Sequence, residues 1–212
     1  TGGTRGLVGG DYAQPSNNDH IDFMNISTTG DATDFGNLSV ARASLSASSS
    51  RSRGIFLGGD TPSLNNTIDF ITIASTGNAS DFGDCIHNGV YSATWSDGTR
   101  IVKAGGEAPS PAYTINSAEF ITIASAGNGL DFGDLTEKRR RSMAIGSPTR
   151  MLICGGYSSP ANKDTIDFFT FSTTGNAADF GDLSSARHTG GGCSNAVIGL
   201  VTDAGPAIDR IT

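Results

Sequence analysis

The sequence has few cysteines and no long apolar segment, and each shortage excludes a class of protein. Only 3 of its 212 residues are cysteine, at Cys85, Cys154 and Cys193. An odd count without paired spacing excludes a disulfide framework and a cysteine zinc site, so we expect all three to be small buried residues. No apolar run approaches the about 18 residues that a membrane-spanning helix needs, and the first residues do not resemble a signal peptide. The sequence therefore predicts neither membrane insertion nor membrane targeting.

Charge is also scarce, at 17% of residues, and the 21 acidic side chains outnumber the 14 lysines and arginines. The formal net charge of -7 argues against a general binder of nucleic acid or of anionic membranes. One basic run is present, at residues 138–141. A short run of this kind is typical of a solvated loop, which is how we interpret it.

What the chain has in excess is glycine, with 29 residues, arranged in an internal repeat. The tripeptide Asp-Phe-Gly recurs about every 48 residues, starting at Asp34, Asp81, Asp131 and Asp179. An acidic residue in an apolar run precedes each copy at a constant distance, namely Asp22, Asp69, Glu119 and Asp167. A second position follows each copy at a constant distance, occupied by Arg42, Gly89, Arg139 and Arg187. A glycine pair comes after it at a constant distance, except in the last copy, where Asp203 stands at that place. These fixed spacings indicate one structural unit per copy.

Length varies in one place only, between the glycine pair and the next acidic strand. The four segments are residues 11–18, 60–66, 107–116 and 157–163. Segments that tolerate insertion carry few buried backbone contacts, and loops of this kind on a rigid scaffold often carry the binding residues. We therefore predict that these loops are exposed and form the contact surface.

Each unit predicts four short strands. The first follows the arginine (41–47 in one copy), the second precedes the glycine pair, the third holds the acidic residue (67–73), and the fourth carries the phenylalanine. Gly-Asn pairs between the third and fourth strands predict hairpin turns, because both residues tolerate positive φ. A single four-stranded sheet cannot bury two apolar faces, whereas blades around an axis cover one another. The fold class is therefore an all-β propeller of four-stranded blades.

The order of an arginine-led strand, an apolar run closed by Gly-Gly, an acidic strand and an aromatic fourth strand resembles the kelch repeat. The departure is phenylalanine where kelch repeats usually carry tryptophan. The resemblance implies a kelch-like β-propeller in a single domain, residues 1–212, with five blades. We place the repeats at about 5–41, 42–88, 89–138, 139–186 and a partial 187–212. The first and last blades are then incomplete, or are closed by both termini.

The stretch at residues 67–84 resembles repeats of structural and tail-associated proteins of marine bacteriophages. This resemblance implies a virion protein, such as a tail fibre or surface adhesin, that contacts a host glycan, a host protein or a neighbouring virion protein without turnover. Homo-oligomerisation within the particle is compatible with it. Two alternatives stay open: a purely intra-particle scaffold, and a kelch-type oxidase or glycan hydrolase.

The variable loops carry aromatic rings and planar amides, which suit sugars or a protein rim because one stacks and the other supplies fixed donors and acceptors. The candidate ligand-binding residues are Tyr12, Asn17, Asn18, Asn65, Asn66, Tyr113, Tyr157, Asn162 and Lys163. The alternative is the ordinary loop composition of a chain rich in glycine and asparagine. Arg42, Arg139 and Arg187 either pair with carboxylates or carbonyls between blades or form a basic ring at the channel mouth that takes an anionic group, with a gap at Gly89.

No catalytic constellation is evident. Asp-Phe-Gly resembles the kinase magnesium loop, but it recurs four times without a glycine-rich phosphate loop, so we interpret it as structural. His20, His87 and His188 fall in different repeats, which argues against a metal site. The sequence predicts no enzyme activity, no metal and no cofactor.

Overall fold

The chain forms a five-bladed β-propeller. In a computed structural model, residues 3–13, 16–203 and 208–212 are described, and in this part of the chain every regular element is a strand. The strands form five antiparallel sheets in chain order. A helix long and apolar enough to cross a membrane does not occur among these residues.

Blades 2, 3 and 4 have four strands each, and blades 1 and 5 have three among the described residues. Blade 1 contains β1 (Arg5–Ala13), β2 (Ser16–Asn25) and β3 (Thr33–Asn37), and blade 2 contains β4 (Ser46–Ser49), β5 (Arg53–Asp60), β6 (Leu64–Thr72) and β7 (Ser80–Asp84). Blade 3 contains β8 (Ala93–Ser96), β9 (Arg100–Glu107), β10 (Thr114–Thr122) and β11 (Leu130–Asp134). Blade 4 contains β12 (Met143–Gly146), β13 (Arg150–Ser158), β14 (Ala161–Thr170) and β15 (Ala178–Asp182), and blade 5 contains β16 (Gly191–Ser194), β17 (Gly199–Thr202) and β18 (Ile208–Ile211).

The sequence predicts that the second strand of each blade ends before the glycine pair, but the structure shows that the strand continues through it. Gly58 and Gly59 have φ of +64° and +113°, and the β5–β6 register shifts between Leu57 and Gly59. The pair is a β-bulge, beyond which both strands continue. The loop that remains in blade 2 is residues 61–63, and in blade 4 it is residues 159–160. In blade 3 a longer loop remains, residues 108–113, as predicted, and residues 14–15 of the first segment lie outside the described residues. In blades 2 and 4 most of the predicted loop is strand.

The innermost strand also begins later than predicted. In blade 2 it begins at Ser46 rather than near Ala41, because Ser44 has φ of +55°, outside the extended region. The residues before it, including Arg42, belong to the connection between blades.

The apolar core lies between blades. In the junction of blades 3 and 4, Phe132 of β11 packs edge-on against Phe120 of its own blade and against Phe169 of the next, with ring centroids 5.8 and 5.2 Å apart. Met151 and Ile153 of β13 complete this cluster, and both are fully buried. Blades 2, 3 and 4 thus have an apolar face on each side, as predicted for a propeller.

The Gly-Asn segments are not simple hairpin turns. The segment before β11 hydrogen-bonds to the preceding blade: Gly127 N donates to Phe82 O at 2.7 Å, and Asp84 N donates to Asn128 Oδ1 at 3.0 Å. We call this contact the interblade clasp. The same bonds recur at two further junctions, through Gly77 with Asn78 and through Gly175 with Asn176.

The clasp explains the repeated tripeptide Asp-Phe-Gly. Asp81 Oδ1 accepts from Gly83 N at 3.2 Å, Phe82 enters the interblade core, and Gly83 lies directly under the backbone of the next blade. A Cβ at Gly83 would lie 2.7 Å from the carbonyl of Gly127. The tripeptide is therefore a structural element of the junction.

Apolar side chains are exposed on one side of blade 1 and on one side of blade 5. Val8 pairs with Asp22 as the buried Phe56 pairs with Asp69, yet Val8 is 58% exposed. Ile26 in blade 1 and Ile208 in blade 5 are 69% and 65% exposed. In blades 2 to 4 the equivalent positions face a neighbouring blade.

Candidate functional site

The predicted loop residues are mostly strand residues with structural partners. Asn17 Nδ2 donates to Asp60 O, Asn65 Oδ1 accepts from Thr67 N at 2.7 Å, and Lys163 Nζ lies 2.5 Å from Glu137 Oε2. Asn18 Oδ1 accepts from His20 N, and Asn66 Nδ2 lies 3.5 Å from Cys85 O. The bonds of Asn18 and Asn65 are local, to the backbone two residues further on, whereas that of Asn17 joins two blades. The side chains are therefore not simply presented to solvent.

Three of the candidates are exposed. Tyr12 and Tyr113 are each 60% exposed at the ends of their hairpins, and Asn162 is exposed in β14. Tyr157 is half-buried and belongs to a cluster described below. The structure places these residues on several blades and does not bring them into one site.

Arg42, Arg139 and Arg187 do not form a basic ring at a channel mouth. Their side chains are 0, 0 and 2% exposed. Arg42 Nη1 lies 2.8 Å from Asp69 Oδ2 and Arg139 Nη2 lies 2.9 Å from Asp167 Oδ2, while Arg187 Nη2 lies 3.3 Å from Asp209 Oδ2. Buried guanidinium groups need such partners because an isolated charge is costly to remove from water. The repeated acidic strand residue is the countercharge.

Blade 3 keeps the ion pair although Gly89 replaces the arginine. Lys103 of β9 stands where blade 2 has Phe56, and its Nζ lies 2.6 Å from Glu119 Oε1. Both side chains are nearly buried. The longer glutamate and the lysine from a neighbouring strand thus restore the pair from a different direction.

The residue two places after Arg42, Gly89, Arg139 and Arg187 differs between copies but has the same backbone geometry. It has positive φ in each of the four copies, although none is glycine: Ser44, Tyr91, Arg141 and Thr189. Residues of this type at positive φ cost of order 1–3 kcal/mol and persist where the surroundings impose the geometry.

Those four residues form a backbone ladder around the propeller axis. Arg141 N donates to Tyr91 O at 2.9 Å, and Thr189 N donates to Arg141 O at 2.9 Å. Tyr91 N lies 3.5 Å from Ser44 O. Their connections pair with the ends of the second strands through the bridges Val90↔Glu107 and Arg140↔Tyr157. The ladder and the hairpin loops therefore share one face, which we call the ladder face.

Side chains on the ladder face form a cation–aromatic cluster, defined as Tyr91, Arg140, Arg141, Tyr157 and His188 together with Glu107. The Arg141 guanidinium lies 4.4 Å from the Tyr91 ring centroid, and that of Arg140 lies 5.5 Å from Tyr157. The rings of Tyr157 and His188 are 5.7 Å apart. Arg140 is also paired with Glu107. The run at residues 138–141 is thus not a simple solvated loop, because Arg139 is buried and its two successors are stacked.

The two stacked arginines differ in charge balance. Glu107 neutralises Arg140, whereas no carboxylate in the described part of the chain lies within ion-pair distance of Arg141. The Nε atoms of both arginines are buried without a hydrogen-bond partner, so the difference between them is the carboxylate. Stacking on Tyr91 orients the guanidinium and leaves its charge uncompensated, so Arg141 is suited to an anionic or polar partner.

A nearby carboxyl is engaged by its neighbours. Burial raises the pKa of Glu137, but hydrogen bonds from Lys163 and Thr165 outweigh it, and the charges of Lys163 and Arg139 act with them, so the pKa lies below the usual 4.5. Thr165 Oγ1 donates to Glu137 Oε1 at 2.9 Å. Lys163, one of the candidate ligand residues, is therefore committed to Glu137.

The sequence carries one signal for the cluster. At one fixed offset after the repeated arginine position, side-chain type changes from copy to copy through Ser44, Tyr91, Arg141 and Thr189. A constant spacing with varying chemistry is what a scaffold with copy-specific contacts produces. The positive φ and the stacking of these residues depend on neighbouring blades, so no single repeat reveals them.

The cysteines offer a direct check of burial. Cys85 and Cys154 are buried, whereas Cys193 is exposed, contrary to expectation. Burial raises the pKa of both the Cys85 and the Cys154 thiol to about 12, so the reactive thiolate is suppressed.

We expect one equivalent of thiol per chain to react rapidly with Ellman's reagent in the native protein, and all three after denaturation. A Cys193→Ser variant should abolish the rapid phase, and a persisting rapid phase would contradict the placement of Cys85 and Cys154.

The described residues hold no group of three histidine, cysteine or acidic side chains placed to bind a metal ion. Comparison with protein-family models and with curated proteins finds no match for the chain.

Proposed function

We propose that this propeller is a non-catalytic binding module of a phage-type virion, kelch-like in its repeat, that contacts acidic groups of a host-surface glycan through the ladder face. The observation that carries the proposal is Arg141, a stacked guanidinium without a carboxylate partner. It lies among side chains that differ between otherwise similar repeats.

The chemistry of the cation–aromatic cluster supports an acidic saccharide. A guanidinium presents planar donors that match the two oxygens of a carboxylate or sulfate. Tyr91 and Tyr157 place aromatic carbon beside those donors, and sugar rings stack on such carbon. The exposed Tyr12 and Tyr113 extend the aromatic character of the hairpin ends.

The repeated charges are engaged in the scaffold and are not offered to a partner. Arg42 with Asp69 and Arg139 with Asp167 are engaged within the blades, where they stabilise the scaffold. Contact with a partner then falls to the copy-specific side chains, and binding by surface complementarity requires no further chemistry.

The virion context depends on residues 67–84, which resemble phage repeats. In the structure this stretch forms part of β6, a clasp segment and β7. These elements build the junction between blades, so the resemblance supports a shared architecture. The ligand is argued from the ladder face alone.

A second candidate is an intra-particle scaffold, and the exposed apolar side chains of the end blades favour it. Val8, Ile26 and Ile208 occupy positions that face a neighbouring blade elsewhere in the propeller. A neighbouring virion protein placed over such a face would bury apolar area, which stabilises association.

A glycan array that includes neutral, carboxylated and sulfated glycans tests the proposal. We expect the full chain to bind acidic glycans and Arg141→Gln to lose at least about tenfold in affinity, because one charge-assisted contact is worth roughly 1.5–3 kcal/mol. The matched control is Arg150→Gln, since Arg150 also stacks on an aromatic ring, at 4.9 Å from Phe168, but belongs to the start of β13. Absence of acidic-glycan binding, or equal loss in both variants, would favour the scaffold.

A further inference from the structure

A cavity of about 960 Å³ lies at the other end of the innermost strands, away from the ladder face. It is formed by the hairpins that join the first and second strands of blades 2 to 5, at residues 50–53, 95–99, 146–148 and 194–196. Four blades thus contribute equivalent turns to one axial space, which we call the hairpin cavity. Its size matches that of ligand sites in other proteins.

Trp95 distinguishes this cavity from a simple ring of turns. It is the only tryptophan in the chain, and the equivalent strand positions in blades 2, 4 and 5 hold Ser48, Ile145 and Cys193. Trp95 is half-buried and its indole lies against the backbone of Gly146, where an added Cβ would come within 2.7 Å of Nε1. The contact with the neighbouring blade holds the ring in place at the cavity wall.

The indole N–H of Trp95 is available to a ligand. Nε1 makes no hydrogen bond to the described residues, and it is not among their buried atoms without a partner. A fixed aromatic face with a free donor at its edge suits a sugar ring, whose C–H groups stack on the indole while a hydroxyl accepts from the N–H.

The charged residues of the cavity lining are Arg51, Arg53 and Asp97. Asp97 Oδ1 is held by Thr99 N and Arg100 N, each at 2.7 Å, which fixes the carboxylate in the turn. Arg51 is exposed and has no partner among the described residues. Arg53 is already engaged, because its Nη1 donates to Ile123 O at 2.8 Å and its guanidinium lies 4.9 Å from the Phe70 ring. Arg51 and Asp97 are therefore the two charged groups with hydrogen-bonding capacity left for a ligand, and a neutral ligand rich in hydroxyl groups can donate to one and accept from the other.

We propose that the hairpin cavity is a second binding site, for a neutral carbohydrate that stacks on Trp95 and hydrogen-bonds to Asp97, Arg51 and the serine hydroxyls of the turns. Paired hydroxyls of a pyranose both donate and accept, so the carboxylate and the guanidinium are each satisfied by the same ring. The site is independent of the cation–aromatic cluster in position and in ligand charge.

Because Trp95 is the only tryptophan, its fluorescence reports this site directly. The full chain is titrated with glucose, galactose, mannose, N-acetylglucosamine, maltose and cellobiose while Trp95 emission is followed, and binding is checked by calorimetry. We expect a saturable change with at least one of these sugars, with dissociation constants of roughly millimolar order, the range for a small polar ligand.

Variants separate stacking from folding. Trp95→Ala should abolish calorimetric binding, and Arg51→Gln, at an exposed position, should weaken it about threefold to tenfold while the unfolding midpoint stays unchanged. The control is Lys138→Gln, an exposed charge in the connection that leads to the ladder face. An unchanged emission spectrum with every sugar, or undiminished affinity in Trp95→Ala, would overturn the proposal. Sugar binding that survives Arg141→Gln distinguishes this site from the acidic-glycan site.

Discussion

Replacing Gly83 with alanine is expected to lower the free energy of unfolding by roughly 3–5 kcal/mol, because the substitution is unfavourable in two ways. Gly83 has φ of +141°, which L side chains rarely adopt. An added Cβ would also lie 2.7 Å from both the carbonyl carbon and the oxygen of Gly127 in the interblade clasp. The backbone of the next blade would have to move, and the clasp hydrogen bonds would be strained with it. Urea unfolding followed by circular dichroism measures the loss.

Gly181 is a matched control for this substitution. It is the glycine of the same tripeptide in blade 4 and has nearly the same φ, +137°, but no atom lies within 4 Å of an added Cβ. Gly181→Ala should therefore cost only the dihedral term, about 1–3 kcal/mol. Equal losses in the two variants would show that backbone conformation alone, and not the approach of the next blade, requires glycine.

The second large effect is expected at the buried ion pair. Asp69→Ala should destabilise the protein by roughly 3–5 kcal/mol, since it leaves the Arg42 guanidinium buried without a countercharge. Both side chains are 0% exposed, and Asp69 Oδ2 also accepts from Ser39 N at 3.0 Å. The loss should appear as a lower midpoint of urea unfolding with an unchanged slope.

Two comparisons make this prediction specific. Asp22→Ala alters the same repeat position in blade 1, where the carboxylate is exposed, and should leave the midpoint nearly unchanged. The double variant Arg42→Met with Asp69→Ala should be less destabilised than the two single losses combined, because removing both charges avoids an unpaired one. Strictly additive losses would argue against a coupled pair.

The blade architecture was predictable because its signals are local and repeat in every copy. The apolar third strand around Asp69, the phenylalanine of the fourth strand and the constant spacing between them depend on residues of one unit. Because these strands have apolar residues on both faces, both faces of each blade must be buried. A single sheet can achieve this only by packing between two neighbouring blades. The structure confirms an all-β propeller with five blades.

The details that were wrong depend on neighbouring strands or blades. The sequence predicts that Gly58 and Gly59 close a strand, but they form a bulge, which needs a partner strand to define it. The Gly-Asn segments join antiparallel strands as predicted, but their hydrogen bonds to another blade are not visible in one repeat. The exposed loops were consequently overestimated, and residues such as Asn65 proved to be strand residues.

The candidate site was predicted least well, for the same reason. The ion pairing of Arg42 was among the predictions. That Lys103 supplies the positive charge in blade 3, where Gly89 replaces the arginine, follows only from the pairing of β9 with the strand that carries Glu119. The stacking of Arg141 on Tyr91 joins residues 50 positions apart in sequence. Only the ring of blades brings them together.

The ladder of Ser44, Tyr91, Arg141 and Thr189 is made by main-chain atoms alone. Substitution of these side chains therefore leaves the main-chain hydrogen bonds of the ladder intact, provided that the new residue tolerates positive φ. Duplication of such a repeat therefore gives a constant scaffold with one variable side chain per copy. Binding specificity can change at that position while the rest of the propeller keeps its structure.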